Sequence, residues 1–157
     1  MSNPVSINAV PGTSLVEISR EFEAPADALF RAHADPELFA QWIGPRALQT
    51  SITRWDFSTG GGYGFEQQNP QGGTYGFRGV FHTIVPDELI IQTFEYLGAP
   101  HEVSLDRMRF EALPDGRSRL ISRSVFTSQE AVEQMIASGM EHGVVEGYEK
   151  LDELLAR

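Results

Sequence analysis

The chain contains no cysteine, so disulfides and thiolate metal sites are excluded as sources of stability or chemistry. Long apolar runs are missing as well; no stretch approaches the roughly 20 residues a helix needs to cross a bilayer. The first twenty residues carry neither the basic nor the apolar region of a secretory leader, which leads us to expect a cytoplasmic protein. The four histidines, His33, His82, His101 and His142, show neither a His-x-x-x-His nor a Glu-x-x-His spacing. No metal and no cofactor are expected. There is no Gly-x-Ser-x-Gly elbow, and Gly60-Gly61-Gly62 lacks the lysine and following helix of a phosphate loop, so it reads as a hairpin turn. Positive charge is scarce, with 12 Lys and Arg against 22 Asp and Glu and a net charge of -10. That balance argues against nucleic acid or an anionic membrane surface as a partner and favours solubility.

What is present fits one domain, since 157 residues can bury a sizeable core and no internal linker is visible. Residues 1–13 hold two prolines and a glycine with little periodicity and are expected to form a loosely held N-terminal arm before a single domain over 14–157. From Leu15 to Phe22 the residues alternate, with Val16, Ile18 and Phe22 on one face, which predicts a half-buried strand. Arg20 shares the apolar parity. Its guanidinium must pair with a carboxylate, anchor an acidic ligand group, or reach water from a buried stem. Ala24-Pro25 ends the strand and opens a short helix through Leu29 and Phe30. Asp35-Pro36-Glu37 then caps a second helix through Leu38, Phe39 and Trp42 that stops at Gly44-Pro45.

Six further strands are expected over residues 48–57, 61–68, 74–85, 89–96, 102–112 and 119–126, joined by turns containing Gly, Pro, Asn or Asp. Ile84 sits off phase with the rest of its strand, which points to a bulge. An antiparallel sheet with one wet face must cover the other, and the element available is the C-terminal stretch from Thr127 to Arg157. Met140, Val144, Tyr148, Leu151 and Leu155 recur there at helical spacing, and Thr127 with Glu130 matches a capping box, so one long helix is expected. Gly139, Gly143 and Gly147 each cost about 1 kcal/mol in a helix interior relative to alanine. Either a strand or ring comes close to them, or they leave room for a bound molecule. The reading is an α+β chain with seven antiparallel strands, two short helices after the first strand and a long terminal helix.

Aromatic density is the remaining signal. Trp42, Tyr63, Phe65, Tyr75, Phe77, Phe81, Phe94 and Tyr96 fall on the second helix and on neighbouring strands, largely in shared parity. They are either plain core or the walls of an apolar pocket, with Arg20, Gln92 and Tyr148 as its polar groups and Met140, Gly143 and Val144 as its helical side. His82 lies in a strand and is either a satisfied surface residue or an acid or base facing that pocket.

Several motifs in order carry a family resemblance: Phe22-Glu23-Ala24-Pro25, Ala34-Asp35-Pro36-Glu37, Trp42-Ile43-Gly44-Pro45, Gly60-Gly61, Val85-Pro86 and Phe94-Glu95-Tyr96. Ser138-Gly139-Met140-Glu141-His142-Gly143 and Leu151-Asp152-Glu153-Leu154-Leu155 complete the set. Together they resemble the START-like, or SRPBCC, superfamily, and within it the branch named after the activator of heat-shock protein 90 ATPase. The resemblance implies a helix-grip fold, a curved antiparallel sheet wrapped around the terminal helix with a cavity between them. It implies a binding protein for a small apolar or amphipathic molecule, an enzyme of cyclase or dehydratase type acting on one, or a co-chaperone, and it leaves room for a homodimer. The chain departs from the branch at Ser58, where an arginine often precedes the Gly-Gly turn.

Overall fold

The computed structural model describes residues 2–157. Eight strands form one antiparallel sheet: β1 (Ser6–Ala9), β2 (Leu15–Phe22), β3 (Gln49–Trp55), β4 (Gly62–Gln68), β5 (Thr74–Val85), β6 (Leu89–Tyr96), β7 (Val103–Leu113) and β8 (Arg117–Val125). The strand order is β1-β2-β8-β7-β6-β5-β4-β3. Helices α1 (Ala26–Ala34) and α2 (Pro36–Trp42) follow β2, and α3 (Gln129–Ala137) and α4 (Met140–Leu155) close the chain.

Two expectations need correction. The sheet has eight strands rather than seven, because Ser6–Ala9 of the N-terminal arm pairs with β2, Ile7 opposite Ile18. Four residues carry too little periodicity to be read as a strand; the partner edge of β2 decides them. The terminal helix is two helices. Gly139 adopts φ +87°, a left-handed conformation that ends α3 and redirects the chain into α4, and glycine adopts it without a Cβ clash. The start also shifts by one residue: Ser128 Oγ accepts from the Ala131 amide at 3.0 Å, while the Thr127 hydroxyl donates to Glu102.

The short helices form as their end signals require. Asp35 Oδ1 accepts from the Glu37 amide at 2.9 Å and Pro36 opens α2. The last carbonyls of α1 find unusual donors: Trp42 Nε1 donates to Ala32 and Trp55 Nε1 to Ala34, each at 2.9 Å. Two indoles thus satisfy groups that a helix end leaves free and tie α1 to α2 and β3.

The core lies between the sheet and α1, α2 and α4, with Phe22, Leu29, Phe81, Ile90, Leu120 and Leu151 sealed from solvent. Burial of each such side chain contributes about 1.5–3 kcal/mol. Gly147 of α4 serves this packing. A Cβ on Gly147 would stand 3.2 Å from the Trp42 carbonyl oxygen and 3.4 Å from the Gly44 nitrogen, so the α2–β3 connection lies directly against the helix backbone. The off-phase Ile84 does mark a bulge, with the β5–β6 register shifting between Phe81 and Thr83.

Candidate functional site

Alternation along β7 sends Ser104, Asp106, Met108 and Phe110 toward the helices and Arg107 and Arg109 to the opposite face. Register then aligns one transverse row on the helix-covered face: Phe81 opposite Gln92, Gln92 opposite Asp106, Asp106 opposite Ser124, and Ser124 opposite Val16. Asp106 is the unexpected member. Ser104 Oγ donates to its Oδ1 at 3.0 Å. Burial pushes its carboxyl up to about 6, against the pull of hydrogen bonds from Ser124 and Ser104. Among the described residues it has no salt bridge.

Tyr63 joins this row from β4. Its hydroxyl donates to the Thr93 carbonyl at 2.5 Å and accepts from Gln92 Nε2 at 3.1 Å. Burial, with the charge of Asp106 as a smaller cause, holds the phenol well above its ordinary pKa. Beside the row stand Phe77, Phe94 and Tyr96, with ring centroids 5.5 Å apart for Phe77 and Phe94 and 5.2 Å for Phe77 and Tyr96.

Exposure along the helix-covered face is uneven. Phe22, Phe81, Phe110 and Leu120 are buried, whereas Gln92, Phe94, Asp106, Met108, Ser122 and Ser124 keep part of their surface although they lie in central strands. The α4 stripe shows the same gradient. Tyr148, Leu151, Leu154 and Leu155 belong to the core, while Met140 and Val144 are half-buried and outside it. Tyr148 packs edge-on against Phe22 at 5.5 Å, and its hydroxyl has no protein partner among the described residues; burial raises its pKa to about 12, with Arg20 opposing.

The other residues singled out from the sequence go elsewhere. Arg20 is buried and donates to both carboxylate oxygens of Asp152 on α4, at 2.5 and 2.6 Å, so of the three arrangements open to it the carboxylate pair is the one formed. Trp42, Phe65 and Phe81 are core. A Cβ on Gly143 would meet Pro45 Cδ at 3.6 Å, on the connection that follows α2. Tyr75 and His82 are exposed, with His82 Nδ1 paired to Thr83 Oγ1 at 2.7 Å. Asp106 and Ser104 escaped the sequence reading although the alternation with Met108 and Phe110 carried the signal.

Two recesses are formed elsewhere, neither bordered by Gln92, Asp106 or Ser124. One of about 240 Å³ borders Asn3, Ser6, Ser19 and Arg119. The other, about 480 Å³, borders Tyr63, Phe65 and Phe77 of the expected pocket and lies over Gly64 and Gly76, where Thr53 and Leu97 already occupy the space that glycine leaves. No group of three or more potential metal ligands occurs among the described residues. No helix among them is long and apolar enough to cross a membrane.

Residues 23–156 match the family described as Activator of Hsp90 ATPase homolog 1-like protein. The chain belongs to that family. Similar solved structures agree on its helix-grip, SRPBCC-type fold. A protein of Rhodobacter sphaeroides is 24% identical with a TM-score of 0.88, covering 98% of this chain and 99% of its own. A protein of Arthrobacter aurescens is 23% identical with a TM-score of 0.87, covering 96% and 91%. The AHSA1 protein of Silicibacter pomeroyi is 22% identical with a TM-score of 0.72, covering 90% and 97%. None of the curated proteins matches the chain. At these identities the AHSA1-like relatives speak for the fold alone.

Proposed function

We propose that this AHSA1-like chain binds a small apolar or amphipathic molecule between the sheet and the N-terminal half of α4. One observation carries the reading: residues in the middle of the sheet, Gln92, Phe94, Asp106 and Ser124, keep accessible surface, and Met140 and Val144 of α4 stand outside the core. A face built only for packing would be sealed there, as it is around Phe22 and Leu151. Aromatic walls with a few convergent polar groups are the usual make-up of a small-molecule site.

Native mass spectrometry of freshly purified protein, with titration of an apolar fluorescent dye, tests this. A copurified adduct or saturable dye binding lost in Val144→Trp supports it. Dye binding that Val144→Trp leaves unchanged places the ligand elsewhere, and the absence of both adduct and dye binding sinks the proposal.

A second reading, an enzyme acting on the bound molecule, draws on Asp106, whose carboxyl at about 6 is placed near neutrality as an acid or base would need. Recovery of the ligand chemically unchanged after long incubation counts against it. The family's description favours a third, interaction with a chaperone ATPase, which stimulation of such an ATPase by the purified protein would test.

A further inference from the structure

The polar groups of the row can be counted donor by donor, and the count comes out one-sided. Tyr63 has one hydroxyl proton and gives it to the Thr93 carbonyl. Its oxygen therefore accepts from Gln92, which fixes the Gln92 amide with nitrogen toward Tyr63 and leaves the carbonyl oxygen without a partner among the described residues. The Ser104 hydroxyl proton is directed at Asp106, and Ser124 stands opposite the same residue on β8. Along the row this leaves carboxylate lone pairs and one amide oxygen as acceptors, with the Ser124 hydroxyl beside them and the Tyr148 hydroxyl on α4 as a further group without a partner among the described residues.

Charge is one-sided as well. The arginines of β7 and β8, Arg107, Arg109, Arg117, Arg119 and Arg123, alternate onto the opposite face of the sheet. Arg20 points inward but is held by both oxygens of Asp152. Asp106 thus sits half-buried with no ion-pair partner among the described residues, an arrangement that costs stability unless something else supplies the charge.

We infer that the molecule bound at this face carries a protonated amine beside an apolar ring, the ammonium on Asp106 and the Gln92 carbonyl and the ring against Phe77 and Phe94. This rests on the binding reading above and narrows it to cationic amphipaths. A neutral apolar ligand would leave Asp106 uncompensated, and a carboxylate would be repelled by it. Aromatic faces add to the attraction for a cationic nitrogen.

Three probes of one shape decide the matter: naphthylethylamine, naphthylethanol and naphthylacetate, titrated calorimetrically into the full chain at pH 8, where Asp106 is ionised. The amine binds at least about tenfold more tightly than the alcohol, and the acetate binds most weakly. In Asp106→Asn the amine's advantage over the alcohol collapses to within about twofold. Equal binding of amine and alcohol by the wild-type chain, or a preference that survives Asp106→Asn, overturns the amine assignment and leaves the binding site standing. Failure of all three probes to bind overturns both. Melting curves show whether the variant is folded, and the wild-type comparison decides the amine assignment without it.

Discussion

Arg20 on β2 and Asp152 on α4, 132 positions apart in the chain, meet in a two-pronged ion pair at 2.5 and 2.6 Å. The guanidinium also lies 4.6 Å from the centre of the Phe22 ring. The pair pins the C-terminal half of α4 to the sheet, and Tyr148 sits one turn before it against Phe22. The N-terminal half of the helix has no comparable anchor on the sheet among the described ion pairs. One end of the helix is therefore locked to the sheet by an ion pair and the other is not.

Removing the carboxylate is expected to cost more than removing the cation. Asp152→Ala leaves a buried guanidinium uncompensated and should destabilise by about 2–4 kcal/mol, toward the low end because Asp152 is itself partly exposed. Arg20→Met removes the charge that needs compensation and should cost less. Urea denaturation of both variants checks the order; an Asp152→Ala loss smaller than that of Arg20→Met refutes it.

The two interior glycines of α4 should respond in opposite directions to alanine. At Gly143 the new methyl meets Pro45 Cδ at 3.6 Å, an ordinary contact, so Gly143→Ala should stabilise by up to about 1 kcal/mol through helix propensity. At Gly147 it presses on the Trp42 carbonyl at 3.2 Å and the Gly44 amide at 3.4 Å, backbone atoms with little freedom to move. Gly147→Ala should forfeit that gain and destabilise by about 1 kcal/mol or more. Matched thermal melts are sufficient, and equal shifts for the two variants would contradict the packing assigned here.

Asp106 should make the protein less stable than it need be at neutral pH. Its folded pKa of about 6 lies above the ordinary value of 3.8, so folding favours the protonated form. The stability tied to that proton is complete below 3.8 and is lost as pH rises through 6. Asp106→Asn should therefore melt higher than wild type at pH 8, with the advantage shrinking to nothing near pH 4. A variant less stable than wild type at pH 8 would show that the ionised carboxylate is compensated after all.

His33 has the opposite linkage. It is buried against Trp42 and Phe110, its Nδ1 bonds to the Leu29 carbonyl at 2.9 Å, and burial lowers its pKa from 6.5 to about 4. The unfolded chain takes up the proton first, so His33 removes stability as pH falls from 6.5 to 4. Over much of that window Asp106 adds stability, and the two effects oppose each other in the wild-type chain. Asp106→Asn should steepen the acid loss and His33→Phe should flatten it. Stability measured at half-unit steps from pH 7 to 4 tests this, and parallel profiles for the three proteins would count against both assignments.

The sequence by itself determined the order of elements, the cap at Asp35, the bulge near Ile84 and the parity of the aromatic strands. Each of these depends on neighbours a few residues away, through backbone hydrogen bonding and side-chain alternation. Family membership was legible for the same reason, since its motifs lie in chain order. Tertiary structure alone decided whether the four residues of β1 form a strand, because a single edge of β2 supplies their hydrogen bonds. It also decided which carboxylate answers Arg20 and which neighbours meet the glycines of α4. Alternation along β7 tells that Asp106 points inward. That it lies opposite Gln92 and Ser124, uncompensated and half-buried, follows from the registers of three strands and from where α4 is pinned, which no local pattern encodes.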